Sequence, residues 1–206
     1  MRPKQDDEVI FGAALRVFAR YGYRKATLED IAGEVGLTAA GIYAYAQSKR
    51  ELYEQTVRFA MLRWQGRVRT AVAEQESAGE RFRTMCHSAL FYLAEDRDFS
   101  ALLAKDPTIF PMFPTVDPYE EINADSVAMI ADILAYGART GEFRQLDVAS
   151  ASNLIFEMYK SFIIRAYEQG EVDYLAQNLP QTLDLFLHGI VAPQADGSGA
   201  DAESIE

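Results

Sequence analysis

Residues 27–49 read TLEDIAGEVGLTAAGIYAYAQSK, and their spacing decides the fold. Thr27 with Asp30 three positions on has the form of a capping box, in which the hydroxyl accepts a backbone amide and the carboxylate reaches back to the cap. It opens a short helix carrying Leu28, Ile31 and Val35, and Gly36, having no Cβ, takes the left-handed turn that stops it. Thr38 caps a second, very short helix. Ala32 is small enough for the two helices to cross closely, so that Leu37 and Ile42 join Ile31 and Val35 in a shared core. The pattern predicts a helix-turn-helix, whose second helix enters the major groove of duplex DNA with its N-terminal side chains at base edges. Turn geometry alone also fits a helical hairpin with no ligand.

On either side the apolar positions keep helical spacing, and alternation of period two is absent, so the chain is expected to be all-α. Ile10, Ala14, Val17, Phe18 and Tyr21 form one stripe, stopped at Gly22. Ser48 and Glu51 begin a long helix to about residue 73, and Ser77 and Glu80 begin another through Phe82, Met85, Cys86, Ala89, Tyr92 and Leu93. A short helix is expected over 98–105. Residues 106–116 carry three prolines and cannot continue it, yet Ile109, Phe110, Met112 and Phe113 demand cover. Asp117 as cap and Pro118 in the first turn predict a helix from there to the Gly141 stop. Asp147 starts another that ends near Gly170, and a last one spans about 174–188 with a kink or late start at Pro180. Residues 192–206, APQADGSGADAESIE, are acidic with almost nothing to bury and are expected to be a disordered tail.

The wording of 27–49 is similar to the DNA-binding domain of the tetracycline-repressor (TetR/AcrR) family of transcriptional regulators. Thr27, Ile31, Ala32, Gly36, Thr38, Tyr43, Ser48, Lys49 and Leu52 fall on that family's pattern, with Leu37 and Ile42 as close substitutes. The resemblance covers about residues 8–55 and divides the chain into a DNA-binding domain (1–50), an effector-binding and dimerisation domain (51–191) and the tail (192–206). It implies that Thr27, Tyr43 and Lys49 contact phosphates, while Thr38, Ala39, Ala40, Gly41 and Tyr45 face the groove. The residue chemistry permits this: a hydroxyl at a helix N-terminus, a phenol donor and a point charge all suit phosphate oxygens. Two departures stand out. Ala46 replaces the family's usual Phe, and Ala39 and Ala40 replace polar side chains, so no Arg or Asn in 38–45 can make a bidentate base contact. Affinity is then expected to come from phosphates and DNA shape. Arg2 and Lys4 are candidates for a basic arm along the duplex.

One such unit reads few base pairs, so two copies about 34–36 Å apart are expected, and hence a homodimer. The apolar content of the last two helices, with Phe156, Phe162, Ile163, Leu183, Phe186 and Leu187, resembles the family's four-helix dimer bundle. Between reader and bundle, Phe82, Met85, Tyr92, Phe110, Phe113, Met129 and Tyr159 are candidates for an apolar ligand cavity, each equally suited to ordinary core. His87, Glu157, Lys160 and Arg165 are the candidate polar anchors. The resemblance implies a small-molecule effector that releases the protein from its operator.

Composition sets the exclusions. Twenty Lys and Arg against thirty-one Asp and Glu give a net charge of −11, yet the first 60 residues hold nine basic and eight acidic side chains. The reader can approach a polyanion that the acidic body repels. No stretch is apolar enough for a membrane span, and the acidic N-terminus is unlike a secretion signal, so a cytoplasmic protein is expected. One cysteine and two histidines exclude a disulfide within the chain and a Cys/His zinc cluster. No phosphate-loop, dinucleotide or hydrolase motif is present, so neither enzyme nor cofactor is expected. The rival reading is a dimeric helical ligand-binding or scaffold protein without specific DNA binding.

Overall fold

Helical periodicity with caps at each restart produces an all-helical chain in the computed structural model, which describes residues 4–112 and 116–190. Chain order is α1 (Lys4–Lys25), α2 (Leu28–Glu34), α3 (Ala39–Ile42), α4 (Lys49–Ala73), α5 (Ala78–Glu95), α6 (Arg97–Lys105), α7 (Glu120–Thr140), α8 (Val148–Ile163), a wider π turn (Ile164–Glu168) and α9 (Val172–Ile190). Among the described residues no helix is long and apolar enough to cross a membrane. The expected disordered tail, Phe113 and Arg2 lie outside the described residues.

Local signals set most boundaries. Thr27 and Ser77 make full capping boxes, and Thr38, Ser48, Asp96 and Asp147 each accept a first-turn amide. Gly22 has φ +72°, so α1 breaks there and adds only one short turn to Lys25. The helix also reaches back to Lys4, which places that backbone in α1 rather than in a free arm. Helix α7 begins two residues later than expected, with Tyr119 rather than Asp117 in the cap position. That carboxylate instead accepts from the Tyr119 amide at 2.8 Å and from Asn123 Nδ2 at 2.7 Å, as an Asx turn with Pro118 at its second position. Helix α9 starts at Val172 and continues through Pro180.

The core is continuous from the reader to the body. Ile10, Ala14, Val17 and Phe18 of α1 are buried, with Ile31, Ala32 and Ile42 beneath the turn and Leu52, Val57, Trp64 and Val68 along α4. Two expected core positions face solvent: Tyr21, beyond the reach of the α1 stripe, and Leu37, which is 41% exposed at the turn. Ile109 and Phe110 are buried as their apolarity requires, Phe110 lying against the rings of Trp64, Phe156 and Tyr159.

The turn Gly141–Glu142–Phe143 ties three helices together. Gly141 has φ +80° and ends α7, and the Glu142 carboxylate accepts from the free amides of Ala78 (3.0 Å) and Gly79 (3.3 Å) at the start of α5. Arg144 then donates to the Gly189 carbonyl at 2.6 Å, at the end of α9. Phe143 is buried against Gly137, where a Cβ would lie 2.2 Å from its ring. Gly137→Ala is therefore expected to destabilise the protein by about 1–3 kcal/mol through overpacking, measured by urea unfolding; Ala at Gly66, where a Cβ meets nothing within 4 Å, serves as the tolerated control.

Candidate nucleic-acid interface and effector cavity

The reader presents an edge built by two caps. Thr27 Oγ1 accepts from the Asp30 amide at 3.1 Å and donates to Asp30 Oδ2 at 2.6 Å, while Thr38 Oγ1 accepts from Gly41 N at 3.2 Å. Both threonines are exposed, as is Ala40, with Ala39 and Gly41 half-buried beside it. Tyr43 is 54% exposed, and Tyr45 is half-buried and packs on the core. Ile42 is buried, and so is Ala46, which makes the latter a packing position. Lys49 is half-buried: its ammonium donates to the Arg24 carbonyl at 3.3 Å and lies 4.9 Å from the centre of the Tyr23 ring.

That contact brings the last turn of α1 to the start of α4 and adds two exposed cations, Arg24 and Lys25, to the neighbourhood of Lys49. Sequence reasoning missed both. The signal was their position just past the Gly22 break, which turns the chain toward α2.

Two contacts join this unit to the body. The break at Gly22 frees the carbonyls of Ala19 and Arg20, and Lys105, the last residue of α6, donates its ammonium to both. One residue on, Asp106 Oδ2 accepts from the Tyr53 hydroxyl at 2.6 Å, and Asp106 Oδ1 accepts from the Thr108 amide at 3.1 Å. Burial, then the Asp106 carboxylate, pushes the Tyr53 phenol well above its ordinary range, so it is always a donor. Tyr53 packs edge-on against Phe18 with ring centroids 5.0 Å apart. The same loop continues into Phe110, which lines an internal cavity.

That cavity lies among α4, α5, α7 and α8 and offers about 50 Å³ to the centres of water-sized molecules; one water needs roughly 10–15 Å³ on that measure. Of the predicted ligand residues, Met85, Phe110, Met129 and Tyr159 line it. Phe82 and Tyr92 do not. Phe82 is fully buried in the α5 core, and Tyr92 stacks on Trp64 from outside the wall, its hydroxyl donating to Asp96 at 2.9 Å. None of the four candidate anchors lines it either: His87 is exposed and stacks on Phe91, Glu157 and Lys160 pair with each other, and Arg165 pairs with Glu171. The polar wall is instead Gln65, Asn123 and Ser126, invisible to a search for aromatics and charges.

The predicted dimer set also divides. Phe156, Phe162, Ile163 and Leu187 are buried within the protomer's own core and have little surface left for a second copy, since the π turn packs against α6, α8 and α9 and Phe162 lies against the Tyr174 ring. Leu183 and Phe186 stay half-buried, and among the described residues Leu154 and Leu185, 66% and 74% exposed, are the large apolar side chains those helices turn outward.

An exposed capped reader on a helical body with an internal apolar cavity defines the class of ligand-sensing helix-turn-helix DNA-binding proteins. Residues 10–56 match the family model of the tetR family of bacterial regulatory proteins. The HTH-type transcriptional repressor KstR2 of Mycolicibacterium smegmatis is 27% identical over 201 residues, covering 95% of each chain. The repressor BepR of Brucella suis is 22% identical over 196 residues, covering 88% of this chain and 85% of that one. The regulator FadR from Bacillus subtilis, solved in complex with stearoyl-CoA, shares the fold with a TM-score of 0.72 at 21% identity, over 88% of this chain and 98% of that one.

Thr27→Ala is expected to cost about 1 kcal/mol of stability at neutral pH, measured by denaturant unfolding, with Thr27→Ser retaining most of it. The Thr27 hydrogen bonds hold the Asp30 carboxyl below its ordinary value of 3.8. The ionised form therefore stabilises the fold above that value, and the contribution is lost as pH falls through the lower folded-state value. Thr27→Ala should remove that part of the acid dependence.

Proposed function

We propose that this chain is a homodimeric transcriptional repressor that binds an operator through residues 1–50 and is released when a small apolar effector occupies the α4–α5–α7–α8 cavity of the body. The observation that carries this reading is the exposed edge from Thr38 to Tyr43 set beside Lys49, Arg24 and Lys25, on a chain whose remaining charge is acidic. Thr27, Tyr43 and Lys49 hold phosphates, joined by Arg24 and Lys25. Thr38, Ala39, Ala40, Gly41 and Tyr45 meet the groove, where the alanines can touch thymine methyl groups. Thr27 Oγ1 and the Lys49 ammonium must trade or share their internal partners to do so.

Leu154 and Leu185 mark the surface on which a second copy packs, with Leu183 and Phe186 at its margin, which puts two readers on successive turns of one duplex face. Effector in the cavity displaces Phe110; the 106–110 loop then shifts Asp106 against Tyr53 and Lys105 against the end of α1, and the reader turns with them. We assign the protein no reaction and no cofactor, in keeping with relatives named as transcriptional repressors. The role places it in the cytoplasm with the chromosome.

Genomic fragments recovered with the purified protein supply the operator for the test. Tyr43→Ala with Lys49→Ala is expected to weaken operator binding at least tenfold, measured by fluorescence anisotropy, and to flatten the salt dependence by about two phosphate contacts. Unchanged occupancy would support the scaffold reading instead.

A further inference from the structure

Among the polar groups of the cavity wall, the side-chain amides are anchored by hydrogen bonds, whereas, among the described residues, the Tyr159 hydroxyl and the free Cys86 thiol are not. Gln65 Nε2 donates to Ser126 Oγ at 2.6 Å and to the Ile122 carbonyl, and Asn123 Nδ2 donates to Asp117 at 2.7 Å. The ring of Tyr159 is fixed by Trp64, Phe156 and Phe110, with centroids 5.9, 6.1 and 6.4 Å away. Its hydroxyl has no hydrogen-bond partner among the described residues. A buried phenol ordinarily finds an acceptor, and the apolar side chains around it offer water few further bonds there.

Charge narrows what can bind. None of the residues lining the cavity is charged. The nearby buried ammonium of Lys160 donates to the Met112 carbonyl at 3.1 Å and pairs with Glu157 at 3.1 Å. Burial holds the Tyr159 hydroxyl far above the ordinary phenol range, and it pushes the adjoining Cys86 thiol up to about 12. Both stay protonated at neutral pH. A carboxylate or phosphate placed here would be a buried anion with no cation to meet it. Met61, Met85 and Met129 let the wall yield to an apolar body of varied shape.

We infer that the effector is a neutral, mostly apolar molecule that presents a carbonyl or ether oxygen to the Tyr159 hydroxyl. This rests on the ligand-responsive reading above and specifies the chemistry of the same cavity. A fatty acid anion is excluded from it, and an ester, ketone or lactone fits.

Trp64, the single tryptophan of the chain, stands in the wall and reports occupancy by its fluorescence. Three probes separate the chemistries: cyclohexanone, methylenecyclohexane as its isostere without the oxygen, and cyclohexanecarboxylate. Cyclohexanone is expected to bind the intact protein about tenfold tighter than the carboxylate, and Tyr159→Phe to weaken cyclohexanone about tenfold. Methylenecyclohexane should bind both forms within twofold, which also shows that the variant keeps its cavity. The inference is overturned if Tyr159→Phe leaves cyclohexanone binding unchanged, if the carboxylate binds tightest, or if no probe perturbs Trp64. Operator binding measured on the same preparations separates the two levels: intact operator binding with any of those outcomes sinks only the ligand chemistry, whereas its absence sinks the regulatory reading.

Discussion

Helix α4 runs along one continuous core from the reader into the body, and the rest of the structure accommodates that double duty. Its first turns place Leu52, Tyr53 and Val57 against α1 inside the reader, and its later turns place Met61, Trp64, Gln65 and Val68 in the wall of the cavity. Twenty-five residues in one helix span about 37 Å. A rigid element of that length carries a change at one end to the other, because packed side chains hold discrete arrangements rather than yielding continuously. Its N-terminus is fixed by Ser48 and by Lys49 on the Arg24 carbonyl, its middle by Trp64 Nε1 donating to the Ala89 carbonyl at 2.9 Å.

The second connection between the halves runs through α6 and the loop that follows it. Lys105 supplies donors to carbonyls that the Gly22 break leaves without helical partners, so the reader's first helix is completed by a residue of the body. Asp106, for its part, accepts the hydroxyl hydrogen bond of Tyr53. Phe110, four residues on, faces the cavity, so a ligand that moves it acts on both joints with few intervening bonds. Coupling of the usual size, about 1–3 kcal/mol, is within what losing one or two charge-assisted hydrogen bonds supplies.

The legible part of the fold was the local part. Capping boxes, glycine stops and apolar spacing act within four residues, and they gave the reader, the ends of α4 and α5 and the start of α8 within a residue or two, whereas α8 gives way at Ile163 to the π turn instead of running to Gly170. The start of α7 was misread because Asp117–Pro118 satisfies an Asx turn as well as a helix start, and the Asn123 amide decides between them from a full turn away. Burial on α8 and α9 was equally beyond the sequence. Phe162 and Ile163 have the same apolarity whether they face a partner or their own protomer, and only the packing of the π turn against α6, α8 and α9 turns them inward. The cavity resisted for a similar reason. Phe82 and Met85 lie three residues apart on one helix, and one fills the core while the other borders open space. The polar wall came from Gln65, Asn123 and Ser126, residue types that single out nothing until α4 and α7 bring them together.

Reciprocity between the two sites offers the most direct check. Titrating a neutral ketone effector by Trp64 fluorescence, first on the free protein and then on the protein saturated with operator, should give an affinity about 5–150-fold weaker on DNA. Equal affinities in the two states would mean that the cavity and the reader share a chain without sharing an equilibrium, and would contradict the account.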